Sequence, residues 1–123
     1  MSEALSALEG KAAYLASAGA DGAPHLAVGE IERATAETVH FRGWFCPRTL
    51  ENLEANRRVA LAAGLGPGGV QVAGTVVENT VDALLDGCGA NDRDVPQVRF
   101  HLVVQIEAIM AMTDRAHTDR VLG

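Results

Sequence analysis

At 123 residues, with 48% apolar and 21% charged residues, the chain has the size and composition of one globular domain spanning residues 1 to 123, which excludes a disordered or collagen-like polymer. A net charge of −6, with Lys11 as the one lysine, excludes the basic face that a nucleic-acid partner requires. No apolar run approaches the roughly 20 residues of a bilayer-crossing helix, no charged-then-apolar leader precedes the domain, and Cys46 and Cys88 form no CxxC pair, so a cytoplasmic protein with free thiols and no membrane span is expected.

Ser2 reads as the N-cap of a short helix over residues 3 to 9, with Leu5 and Leu8 on one face and Gly10 at the stop. Residues 12 to 17 read as a strand, and Asp21-Gly22 supplies a tight turn into a second strand from near His25 to about Ile31. Residues 38 to 42 alternate, with Val39 and Phe41 on one face and His40 and Arg42 on the other. A helix is expected after Thr49, with Leu50 and Leu53 sharing a face and Glu51 and Glu54 favouring its electropositive first turns. Residues 59 to 63 read as a fourth strand, 64 to 69 as a loop and 70 to 78 as a fifth strand. Residues 79 to 86 read as a capped helix ended by Gly87, with a polar connection through Pro96. Residues 98 to 107 form the clearest strand, placing Val98, Phe100, Leu102, Val104 and Ile106 on one face. Six strands and one mid-chain helix predict a mainly β fold, a six-stranded antiparallel Greek-key barrel with flanking helices; a doubly wound parallel sheet needs a helix between most strand pairs.

The stretch from Trp44 to Leu61 runs from a strand through a loop into a helix. A helix start leaves about four backbone N–H groups without intrahelical partners and carries partial positive charge, so it suits an anion. Arg48 adds a planar fork of donors there and Thr49 a hydroxyl; the plainer reading is a surface arginine and an N-cap. His25, His40, His101 and His117 show no i, i+4 pair on a helix and no nearby cysteine, so no metal site is expected. Trp44-Phe45 reads as core, interface or the wall of a ligand pocket. Gly64, Gly66, Gly68 and Gly69 are interrupted by Pro67 and precede no GK[ST] helix, which favours a hairpin over a phosphate loop. Cys46 is either a packing residue or a reactive thiol.

Four segments, Ala13-Tyr14-Leu15-Ala16-Ser17, Asp21-Gly22-Ala23-Pro24-His25, Arg48-Thr49 with Asn52-Leu53 and Asn56, and Val70-Gln71-Val72-Ala73-Gly74, occur in an order and spacing that resembles the FMN-binding split β-barrel proteins related to pyridoxamine 5′-phosphate oxidase. The resemblance covers roughly residues 5 to 78 and implies a homodimer with two FMN molecules at its interface. It implies that Arg48 and Thr49 hold the phosphate, with Asn52 in the same helix, and that His25, Leu26, Ala27 and Val28 line the isoalloxazine. Gly43, Trp44, Phe45 and Cys46 would pass near the ring or ribityl chain, and Gln71 would reach across the interface, which is expected to involve the fifth and sixth strands and the Trp44 loop. Glu30 departs from the apolar or aromatic residue of many relatives and would set a carboxylate near the flavin. The chain also lacks the C-terminal segment by which pyridoxamine 5′-phosphate oxidases grip their substrate, so that particular reaction is not expected.

The activity implied is a flavin oxidoreductase in which FMN takes a hydride from a small donor such as NAD(P)H. No residue stands out as a required acid or base. The alternatives are an FMN-binding electron carrier or sensor without a dedicated substrate, and a relative that holds haem, with His25 or His117 as axial ligand, or a deazaflavin.

Overall fold

Leu15, Phe41, Leu61, Val72, Phe100 and Leu102, drawn from alternate positions of five strands, are each 2% exposed or less and meet in one interior. The structure, a computed structural model, describes residues 6–44, 46–65, 68–84, 97–113 and 121. In chain order the elements are β1 (Ala12–Ala18), β2 (Pro24–Ala34), β3 (Thr38–Trp44), α1 (Pro47–Ala55), β4 (Arg58–Leu65), β5 (Gly68–Leu84) and β6 (Gln97–Thr113). The strands close into a barrel in the order β1-β2-β3-β6-β5-β4, every pairing antiparallel, with β4 returning to β1 through Tyr14↔Ala62, Leu15↔Leu61 and Ala16↔Ala60. The expected six-stranded antiparallel barrel is therefore the architecture found.

The turn between β1 and β2 is built as its residues dictate. Gly22 takes a φ of +81°, which a residue with a Cβ adopts only under strain, and its N–H donates to the Gly19 carbonyl at 3.0 Å. Of the short helix expected over residues 3 to 9, the described part is Ser6 followed by a turn over residues 7–10, which buries Leu8. That turn is fastened to the sheet: Gly10 N–H donates to the Ile31 carbonyl, and Glu9 Oε2 accepts from the Ala34 N–H at 2.8 Å.

Two expectations are corrected. Residues 79 to 84 are not helical but continue β5, paired with β6 from Asn79↔Leu102 to Leu84↔Gln97; ladder bonds to a long partner outweigh a local capping signal. Residues 85 to 96, including Cys88, lie outside the described residues. The helix begins at Pro47, with Cys46 at the N-cap, and its first turn contains no acidic residue, so Glu51 and Glu54 lie beyond it. Pro47 sets this start, because proline fits the first helical position and needs no N–H partner there.

The inward face of β6 also changes phase. Phe100, Leu102 and Val104 are buried, Ile106 is only partly so, and Ile109 takes up the core position. The pairing passes from Gly74↔Ile106 to Ala73↔Ala108, which leaves Glu107 as the extra residue of a bulge. The helix α1 lies against β1 and β2, with Leu53 buried and Leu50 and Cys46 packed on the core.

Candidate cofactor site

Strand alternation decides which side chains of β2 face outward. Leu26 and Val28 are each more than half exposed, as are Tyr14 beside them on β1 and Trp44 at the end of β3. His25 and Ala27 point the other way, so the four residues expected along one ring divide between two faces. Cross-strand register extends the outward face around the barrel in two rows, Leu26–Ala16–Ala60–Ala73–Ala108 and Val28–Tyr14–Ala62–Gln71–Met110. Within one chain Gln71 is thus separated from Val28 by two strands.

A depression of about 320 Å³ opens between Val28, Glu30, Arg42, Trp44 and Arg99, floored by Gly29 and Gly43. The two glycines pair across β2 and β3, and a Cβ at Gly29 would fall on the Phe41 ring and the Arg42 carbonyl. The guanidinium of Arg99 lies 6.0 Å from the centre of the Trp44 ring, at the limit of cation–π attraction. Arg42 Nη2 donates to Glu30 Oε1 at 2.6 Å, and Nη1 donates to Glu32 Oε2 at 3.3 Å. The hydrogen bond to Glu30, reinforced by the charges of Glu30 and Glu32 against a desolvation cost, holds the Arg42 pKa above its ordinary value. Sequence reasoning placed Arg42 on the polar face of β3 but named neither it nor Arg99 as lining a pocket; outward alternation next to Trp44 was the available signal.

The start of α1 lies by the first residues of β2. His25 Nε2 is 3.2 Å from Cys46 Sγ, so this histidine does have a cysteine neighbour, 21 positions away in sequence. Thr49 is fully buried and its hydroxyl donates to the same sulfur at 3.3 Å, which turns it inward from the helix start. Arg48 is exposed, its Nε only 3.9 Å from Glu51 Oε1. It borders a second depression of about 380 Å³ together with Gly19, Asp21, Glu51 and Asn52. Asn52 is buried there, donating from Nδ2 to Ser17 Oγ at 3.1 Å. The carboxylates of Asp21 and Glu51 oppose an anion on their side of this depression, across from Arg48 and the helix start. The helix start itself has no side-chain cap hydrogen bond, no acid in its first turn and Arg48 at its second position.

Phe45 and His117 lie outside the described residues. Among the described residues no group of three or more His, Cys, Asp or Glu side chains is placed to hold a metal ion, and no helix is long and apolar enough to cross a membrane.

No protein-family model and no curated protein matches the chain. Solved structures do. An FMN-binding protein from Syntrophomonas wolfei subsp. wolfei superposes with a TM-score of 0.64 at 14% identity, over 94% of this chain and 85% of that one. An F420 reductase gives 0.60 at 19% identity over 83% of this chain and 90% of that one. A protein from Clostridium acetobutylicum related to general stress protein 26, of the pyridoxinephosphate oxidase family, gives 0.56 at 15% identity over 85% and 80%. Barrel order, strand direction and these superpositions together show that the chain has the split β-barrel fold of the pyridoxine phosphate oxidase-like proteins.

Proposed function

We propose that this protein is an FMN-binding flavoprotein that works as an oxidoreductase, with the flavin held between two copies of the chain. The observation that carries the reading is the start of α1. A cation in the first turn of a helix opposes the macrodipole, and a helix start without a cap or an acid leaves donors to be met from outside. A phosphate placed there answers both, taking backbone N–H groups and the Arg48 fork. The shared fold with an FMN-binding protein supports the same reading.

Trp44 and Val28 supply an apolar wall for a planar ring, and Arg42 and Arg99 supply donors at its polar edge. Each depression is open, so the second copy would complete the enclosure. The two outward rows, almost entirely alanine, valine, leucine, tyrosine and methionine, are suited to that contact. When bound, FMN supplies hydride and electron transfer; this chain's residues bind it, orient it and set the charge around it. Arg42, held protonated, donates hydrogen bonds and releases no proton.

Fluorescence titration of the flavin-free protein tests the reading. Arg48→Ala should weaken FMN binding at least about tenfold, since a charge-assisted hydrogen bond contributes roughly 1.5–3 kcal/mol, and should leave riboflavin binding unchanged. Equal losses for the two ligands would remove the phosphate from α1.

A further inference from the structure

His40 and His101, 61 positions apart, are brought together on the outer face of the barrel where β3 meets β6. Arg42 pairs with His101 and His40 with Val103, so the two imidazoles are diagonal neighbours. Nδ1 of His40 lies 3.4 Å from Nε2 of His101, and the rings stand at 83°. That separation is long for a nitrogen–nitrogen hydrogen bond. It matches the spacing of two ligands on one tetrahedral ion, because metal–nitrogen bonds of about 2.0–2.1 Å place their nitrogens roughly 3.3–3.4 Å apart.

The proton arrangement suits the same role. Glu32 Oε1 lies 3.3 Å from His101 Nδ1, an electrostatic contact that favours the ring proton on that nitrogen and so a lone pair on Nε2, towards His40. A carboxylate behind a ligating imidazole is the arrangement that fixes tautomer and ring orientation at metal centres. Glu32 reaches this position as the extra residue of a bulge, where the β2–β3 register passes from Ile31↔Phe41 to Arg33↔His40. The pair borders an open depression of about 550 Å³ shared with Glu9 and Arg33, with room for water to complete a coordination shell.

We propose that His40 and His101 form a surface site for a divalent transition-metal ion, with Glu32 as a positioning residue. Two imidazoles with water as the remaining ligands suit zinc, nickel or copper over magnesium or calcium. The site shares no residue with the helix start or with the depression at Trp44, and its two histidines can be tested without the flavin; Glu32 is its one link to that depression, through Arg42.

Calorimetric titration of the flavin-free, metal-free protein with Ni²⁺ and with Zn²⁺ decides it, comparing wild type with His40→Ala, His101→Ala, Glu32→Ala and Cys46→Ser. One ion should bind per chain. Affinity should fall at least about tenfold in each histidine variant and about 10- to 100-fold in Glu32→Ala, and should be unchanged in Cys46→Ser. The metal should raise the melting temperature of wild type but not of the histidine variants, whose melting without metal reports that they fold. The absence of saturable binding at millimolar metal would overturn the proposal. So would binding that survives either histidine substitution, or that is lost in Cys46→Ser, which would put the ion at His25 and Cys46. Unchanged affinity in Glu32→Ala would remove Glu32 from the site.

Discussion

Thr49 and Asn52 show how a residue's type suggests one role and its surroundings give it another. Both belong to the helix whose start is the candidate phosphate cradle, and both have the chemistry to meet a phosphate. Thr49 is instead turned to Cys46 Sγ, and Asn52 is buried against Gly19 with its amide donating to Ser17 Oγ. Asn52→Ala leaves a buried hydroxyl without its donor, so it should destabilise the fold by about 1–3 kcal/mol in a urea titration, while the folded variant keeps its FMN affinity. A variant of unchanged stability that binds FMN poorly would return Asn52 to the cofactor. The position of Arg48 in the first turn of the helix was legible from sequence because it depends on a local feature, the helix start. The inward turn of Thr49 was not legible, since it depends on whether the helix begins at Pro47 or three residues later, with Thr49 as its cap.

At the scale of elements, the bulges separate what alternation could show from what it could not. The core face of β6 was legible through Val104, where strict alternation holds, and was lost past Glu107, where one extra residue reverses the phase. Residues 79 to 84 were misread because Asn, Thr and Asp also favour helix caps, and only the partner strand shows that they are in a ladder. The bulge residue Glu107 accepts the Thr75 hydroxyl at 2.6 Å and an Arg58 nitrogen at 3.2 Å. The Thr75 hydrogen bond foremost, helped by the charge and hydrogen bond of Arg58, lowers the Glu107 pKa below its ordinary 4.5. A carboxylate that binds its proton less readily when folded stabilises the protein at pH above its unfolded pKa, and that contribution is lost as pH falls through the folded value. Glu107 is exposed, so the effect is small. Melting curves from about pH 7 to about pH 3 should show wild type above Glu107→Gln at neutral pH and the two converging in acid. A gap that widens toward acid would reverse this assignment.

The molecule as a whole presents an apolar outer face formed by five strands and an open depression at Trp44, and the proposed second copy would cover both. A dimer using that face should bury roughly 2,000 Å² or more, and Ala60→Arg, at the middle of one row, should sediment as a folded monomer that has lost tight FMN binding. A wild type that sediments only as monomer with FMN present would exclude the arrangement. Chemistry then depends on charge around the ring. The sequence placed Glu30 there as an unfavourable carboxylate, but its charge is met by Arg42, so reduction is opposed less than Glu30 alone would imply. Among the described residues Glu30 is the one carboxylate lining that depression and no histidine or cysteine lines it, and Arg42 holds its proton. Reduced nicotinamide should therefore bleach the bound flavin slowly, and oxygen should restore its colour. Arg42→Ala, which leaves the Glu30 charge unpaired, should slow the bleaching further and lower the reduction potential. Anaerobic stopped-flow mixing with NADH and NADPH measures both proteins. Bleaching by dithionite but by neither nicotinamide would make the protein an electron carrier or sensor, and bleaching as fast in Arg42→Ala as in wild type would separate the Glu30–Arg42 pair from the flavin.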